Sequence, residues 1–279
     1  TAFSSEIFGR YPLVFLSPKN LNITYGNPSD RRKFFDILIS QTSRLYLDHL
    51  KNLMKILKQK NSLLRNYTVF KKYSYTELKN LMSAYNEKLT EVSAQIIFKR
   101  LNFLKEFREY FERNFSFLLF QNHNGYINYS SDMFGEIYTG HESFHPEFIK
   151  EKAGIFTDSK FEEEVRRGLT LAGPQRDDYI FRLNKKEDNT DEEVKAKDAF
   201  EIKYFASQGE HKTFLVALKL SEFDYLKDKK TTNPVLLLDD VLSELDDSRV
   251  SKIISHLKDY GQIFLTTSDK SYTENLREY

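Results

Sequence analysis

The sequence predicts an α/β protein, a sheet with flanking helices in its carboxyl-terminal part joined to an antiparallel helical arm. Three observations predict it. Val235-Leu236-Leu237-Leu238 follows Pro234 and ends on Asp239-Asp240, the form of a short strand buried on both faces of a parallel sheet. Ser207-Gln208-Gly209-Glu210 lies about one helix upstream and opens a long helical pattern, so helix and strand alternate. From Arg31 to Leu119 apolar residues recur at intervals of three and four, the period of packed helices.

The elements follow in order. Leu13 to Leu16 reads as a strand. Leu50, Leu53, Met54 and Leu57 share one helical stripe. Leu78, Leu81, Tyr85, Leu89, Val92 and Ile96 form a second, which continues through Leu104, Phe107 and Phe111 and implies a long helix. Asn66 to Ser74 is the expected turn between these antiparallel partners. Residues 121–170 mix aromatic residues with Asn, Gly and Ser, and Glu162 to Arg167 forms a charged helical turn. Within them His141-Glu142-Ser143-Phe144-His145 matches the H-E-x-x-H zinc pattern, but Pro146 pushes His145 away from helical geometry and argues against a metal site.

From Leu169 the pattern turns strand-rich. Tyr179 to Leu183 is a strand, Asn184 to Lys197 a charged loop, and Phe200 to Phe205 alternates like a partner strand. Glu210 to Leu226 reads as a helix with Phe214, Leu215, Leu218 and Phe223 on its apolar side. Lys227 to Asn233 is a basic loop, Ser248 to Tyr260 a helix, and Ile263 to Leu265 the last core strand, ending at Thr266-Thr267.

The chemistry gathers at the acid strand. Carboxylates at the carboxyl end of such a strand sit where α/β folds place ligands. One can hold Mg²⁺ while the other orients a water. Many apolar strands end in Asp without any nucleotide, so the pair gains meaning from its company. Gly209 lets a backbone approach a ligand closely, and the exposed N–H groups of the helix it opens suit phosphate oxygens. Arg176, Asp177 and Asp178 form a charged cluster that fits either a ligand contact or a structural ion-pair network.

Composition narrows the class. The chain has 279 residues and no cysteine, which excludes disulfides and thiolate metal sites and suits a reducing compartment. No apolar stretch approaches a membrane span, and no signal peptide is visible. The net charge of +1 hides an asymmetry: residues 1–120 hold 20 Lys and Arg against 10 Asp and Glu, and the remainder 22 against 31. A basic part beside an acidic one points to a polyanionic partner for the first. Lys51, Lys55, Lys58 and Lys60, taken as lying off the apolar stripe, are the candidate phosphate contacts.

Five ordered blocks carry a family resemblance. Ser207-Gln208-Gly209-Glu210-His211-Lys212-Thr213, Ala217 to Leu220, and Leu236 to Asp246 resemble the RecF family of DNA replication and repair proteins. Gly173-Pro174-Gln175-Arg176-Asp177-Asp178 is similar to that family's Gly-Pro-His-Arg-Asp-Asp, with Gln175 in place of His. Phe15 to Pro18, followed by Pro28 to Asp36, resembles the opening of its helical lobe.

The family is an ABC-type ATPase of the SMC and Rad50 kind, and the resemblance implies a corresponding organisation. Residues 1–25 would end the amino-terminal ATPase subdomain, 26–170 form the arm, and 171–279 form the carboxyl-terminal ATPase subdomain. Ser207, Gln208, Gly209 and Glu210 would be the signature that meets ATP across a two-fold dimer. Asp239 would hold Mg²⁺ and Asp240 would orient the hydrolytic water. Ser243, Glu244, Leu245 and Asp246 would form the loop that reads the opposing head. Most ABC proteins have Glu at position 240, so the shorter Asp implies slow hydrolysis. Thr266 and Thr267 stand where most have a histidine touching the γ-phosphate.

The resemblance also implies an absence. No Gly-Lys pair occurs in the chain, so the first strands, the phosphate loop and its helix are expected to be missing, and this chain alone is not expected to cradle the β- and γ-phosphates. Implied partners are ATP, Mg²⁺, single/double-strand DNA junctions without sequence preference, RecO- and RecR-type mediators, and a second copy. The implied setting is the cytoplasm, in recombinational repair of gapped DNA and the SOS response. Two alternatives stand beside this: another ATPase of the SMC and Rad50 kind, against which the short arm argues, and a shortened module that binds DNA or a partner without hydrolysis.

Overall fold

The computed structural model describes residues 9–118, 123–138, 144–185, 199–240, 247–257 and 260–267. The elements are β1 (Leu13–Leu16), a 3-10 turn (Pro18–Leu21), α1 (Asn22–Tyr25), α2 (Pro28–Thr42), α3 (Arg44–Thr68) and α4 (Tyr75–Leu118). There follow β2 (His123–Ser131), β3 (Gly135–Tyr138), α5 (Pro146–Ser159), α6 (Phe161–Arg167), β4 (Asp178–Lys185), β5 (Phe200–Glu201) and α7 (Ile202–Phe205). The last are α8 (Gln208–Lys229), β6 (Val235–Asp239), α9 (Asp247–Leu257) and β7 (Ile263–Thr266). One sheet is parallel with order β1-β6-β7, and the other has order β3-β2-β4-β5. Among the described residues no helix is long and apolar enough to cross a membrane.

The chain forms two compact units. The first comprises Thr1–Thr42, Glu106–Asn128 and Ile180–Tyr279. Its parallel sheet pairs Leu16 with Leu238 and Asp239 with Thr266. Val14, Leu16, Leu236 and Leu238 are at most 4% exposed, whereas Leu13, Phe15 and Phe264 are 46%, 43% and 53% exposed. On the acid strand itself Leu236 and Leu238 are buried while Val235 and Leu237 are half-buried, so the expected burial on both faces is complete on one face only among the described residues. Helix α8 packs against that covered face.

Helix α8 departs from expectation in the opposite sense. The sequence shows one apolar side, but every residue from Thr213 to Leu226 is buried. Phe214 is the reason: its ring meets Phe111 at 4.8 Å, Phe181 at 5.0 Å and Phe115 at 5.6 Å, so the helix runs through the middle of an aromatic core. The polar residues that share this burial are paired. Lys219 meets Glu222 at 2.8 Å and lies over the Phe34 ring at 4.8 Å, and Asn114 donates to Asp224 at 2.8 Å. Burial raises the Glu222 carboxyl above its ordinary value, and Lys219 opposes that shift.

Phe200 to Phe205 is corrected. Pairing stops at Glu201, where the chain coils into α7, closed by Ala206 N–H donating to Ile202 O at 3.1 Å. Six alternating residues are too few to separate the two periods. The coil buries Ile202 and leaves Tyr204 and Phe205 67% and 73% exposed.

The second unit comprises Ser43–Lys105 and Tyr129–Tyr179. Helix α3 is longer than the sequence pattern suggested, since it runs to Thr68 and shortens the turn to 69–74, while α4 begins at Tyr75, where the expected turn ends. Ser74 then caps α4: its N–H and hydroxyl both donate to Glu77 Oε2 at 2.8 Å. The buried stripe of α4 is Leu78, Met82, Leu89, Val92 and Ile96, while Leu81 is 42% exposed. On α3, Met54 faces solvent and the stripe runs Leu53, Leu57, Lys60, Leu64 at intervals of four, three and four.

Lys60 is thus on the stripe, not off it, and its ammonium meets Glu164 at 2.8 Å with both side chains at 0% exposure. Burial lowers the Lys60 pKa and Glu164 partly restores it. Glu164 Oε1 also accepts from Leu171 N–H at 2.8 Å and Ala172 N–H at 3.3 Å. Arg100, 1% exposed, completes the anchoring of this segment: it donates to Pro174 O at 2.8 Å and Tyr46 Oη at 2.9 Å, and meets Asp177 at 3.5 Å. Gly173 is required there by its backbone, since φ +117° is a conformation that L side chains rarely adopt.

Candidate functional site

The carboxyl ends of β1, β6 and β7 bring together Ser17, Asp239, Asp240 and Thr266. Parallel pairing with both neighbours forces this meeting, because the three strands end at the same level. Asp239 is exposed and Asp240 half-buried. Thr266 Oγ1 donates to Asp239 Oδ1 at 2.8 Å. Asp240 N–H is accepted by Thr266 O at 3.1 Å and by its Oγ1 at 3.2 Å. Asp240 takes the left-handed backbone, φ 49°, so the chain turns sharply away from the sheet at that residue.

Ser17, Lys212, Leu215, Val216 and Asp240 line a small recess of about 30 Å³. Lys212, in the second turn of α8, is the residue that strand and helix patterns did not single out. Desolvation pushes its ammonium below the ordinary lysine value. Its signal was available: Lys212 stands three residues before Leu215 and four before Val216, on the side of the helix that faces the end of β1.

Ser207 caps α8. Its hydroxyl accepts from Glu210 N–H at 3.3 Å, while Glu210 Oε2 accepts from Ser207 N–H at 2.7 Å and from its hydroxyl at 2.8 Å. This capping box fixes the helix start and leaves Ser207 and Gln208 exposed, with Gly209 and Glu210 half-buried. His211 follows, 4% exposed, its ring 4.4 Å from that of Tyr25. Burial lowers its pKa below the usual histidine range. The acids and the capped helix start therefore belong to one unit, each on a rigid element.

The remaining candidates divide. Lys51, Lys55 and Lys58 are exposed along α3, with Lys51 3.9 Å from Asp48. Lys60 is withdrawn as a phosphate contact, since it is wholly buried against Glu164. Asp177 belongs to the ion-pair network with Arg100, and Arg176 is exposed, 3.6 Å from Asp132. Thr267 is half-buried. Ser243, Glu244, Leu245 and Asp246, and His141 of the zinc-like pattern, lie outside the described residues. His145 has extended backbone, φ −80° and ψ 140°, immediately before the first residue of α5.

The described donor set is one of hard oxygens, the carboxylates of Asp239 and Asp240 with the hydroxyls of Ser17 and Thr266 nearby, which suits Mg²⁺ better than a soft metal.

No protein-family model matches the chain. Curated relatives do. The chain is 34% identical over 278 residues to the DNA replication and repair protein RecF of Chloroherpeton thalassium, covering 99% of this chain and 69% of that protein. It is 33% identical over 272 residues to RecF of Chlorobium limicola, covering 98% and 68%. Among solved structures it is similar to the recombination mediator protein RecF-ATPrS in the RecFOR pathway, with a TM-score of 0.78 and 28% identity over 95% of this chain and 65% of that one. The chain spans about two thirds of the length of these relatives. Sequence and fold agree across almost the whole chain, which has the α/β architecture of the ABC-type ATPase head and belongs to the RecF family of DNA replication and repair proteins.

Proposed function

We propose that this protein is a RecF-type ATP-dependent DNA clamp that acts in replication and in the recombinational repair of gapped DNA. The observation that carries this is the pairing, within one unit of a RecF-family chain, of Asp239 and Asp240 at a sheet end with a helix start capped by Ser207. ATP would lie between two copies related by two-fold symmetry. Asp239 would hold Mg²⁺, which supplies charge neutralisation on the phosphates, and Asp240 would orient the attacking water. Ser207, Gln208 and Gly209 of the other copy would meet the γ-phosphate, because their N–H groups open a long helix. A ligand that touches both copies favours the dimer by mass action.

Residues 171–279 would then serve as the carboxyl-terminal ATPase subdomain and 26–170 as the arm, with Lys51, Lys55 and Lys58 meeting DNA phosphates without reading bases. Slow hydrolysis, from the short Asp240 side chain, would release the clamp. RecO- and RecR-type mediators are the proposed protein partners, and the cytoplasm with its SOS response the proposed setting. The similarity to the solved structures of RecF-ATP and RecF-ATPrS in the RecFOR pathway supports the nucleotide and the pathway.

The direct test is equilibrium binding of ATP to the full-length protein with Mg²⁺ present. Asp239→Asn is expected to weaken it by about tenfold or more, the usual effect of disturbing a metal ligand's environment. Equal affinity in the parent and in Asp239→Asn would overturn the assignment.

A further inference from the structure

Thr266 closes β7 directly opposite Asp239, the last paired position of the sheet. Its single hydroxyl touches both acids: it donates to Asp239 Oδ1 at 2.8 Å and accepts from Asp240 N–H at 3.2 Å. The Thr266 carbonyl accepts the same N–H at 3.1 Å. Asp240 is one of only two non-glycine residues with positive φ among those described, a conformation that persists where the surroundings impose it. These bonds to Asp240 N–H are such a constraint. A hydroxyl donor on a carboxylate decides how that carboxylate faces a cation, the usual part of a residue behind a metal ligand.

We propose that Thr266 is a positioning residue for the acid pair, setting the Asp239 carboxylate for a divalent cation and holding the turn that aims Asp240. This rests on the nucleotide reading above. It differs from a γ-phosphate sensor on chemical grounds. A threonine hydroxyl carries one proton, and here that proton is committed to Asp239, so none remains for a phosphate oxygen. Serine at this position keeps the donor, and valine keeps the shape without it.

The experiment is an isothermal titration of the full-length protein with ATP over a range of Mg²⁺ concentrations, with an EDTA arm, on the parent, Thr266→Val and Thr266→Ser. Thr266→Val is expected to bind ATP like the parent in EDTA and to need about tenfold more Mg²⁺ for half of the metal-dependent gain. Thr266→Ser should follow the parent. If Thr266→Val shows the parent's Mg²⁺ dependence, or loses affinity equally with and without Mg²⁺, the positioning role is wrong. A merely structural role would lower the unfolding temperature of Thr266→Val and leave the Mg²⁺ dependence where it was. A parent without Mg²⁺-dependent ATP binding would overturn the nucleotide reading itself, and this assignment with it.

Discussion

Lys58 and Lys60 stand two residues apart on α3, and one is exposed while the other is completely buried. Composition treats them alike, but the spacing from Leu53 and Leu57 does not, and counting the heptad through position 60 separates them. Removing one partner from a buried pair leaves an uncompensated charge. Lys60→Met should therefore destabilise the protein by about 3 kcal/mol in denaturant unfolding. Lys58→Met, changing an exposed residue, should stay within about 0.5 kcal/mol of the parent. Equal effects would contradict the buried pair. Two histidines, the buried His211 and the half-buried His49, give a pH prediction. Burial lowers the pKa of His211, and burial with Lys99 nearby lowers that of His49, each from an ordinary value of 6.5. A depressed folded-state value means that the unfolded chain takes up the proton first. The stability that neutral histidine confers is thus present above pH 6.5 and is lost as pH falls through the lower folded values. Urea midpoints should fall on acidification below that point, and His211→Gln should flatten part of the fall.

At the scale of elements, the strand β6 and the helix α8 were legible because each has a chemical boundary. Pro234 and Asp239 bracket the strand, and Ser207 with Glu210 forms a capping box that announces the helix. Ser207→Ala should cost about 1 kcal/mol of stability through the lost cap, measurable by thermal unfolding, whatever its effect on ligand. Elements without such boundaries were misread. The segment Phe200–Phe205 alternates too briefly to declare a period, and it coils after Glu201. The full burial of α8 was invisible because Lys219, Glu222 and Asp224 look like a solvent face; their partners make burial tolerable, Phe34 and Glu222 for Lys219, and Asn114 and Arg113 for Asp224. The Thr266 contact was equally hidden, since it depends on the register between two strands 24 residues apart in sequence, from Asp239 to Ile263.

For the whole molecule, the five ordered blocks made family and head architecture legible, while the partner that buries Lys60, Glu164 some hundred residues away, required the structure. A clamp that tracks phosphates without reading bases must lose affinity steeply with salt. Reversing Lys51, Lys55 and Lys58 to Glu should weaken duplex–single-strand junction binding at every sequence tested and make the salt slope shallower by about 3, roughly one unit per lysine. An unchanged slope would remove α3 from the DNA surface. The central claim concerns the nucleotide between two copies. Its most direct test is sedimentation of the full-length protein with Mg²⁺, with and without ATP, beside a Ser207→Arg variant that blocks the exposed helix start. A monomer that becomes a dimer only on adding ATP, and a variant that stays monomeric, is the predicted result. The same mass with and without ATP, or a variant that dimerises like the parent, would contradict the clamp.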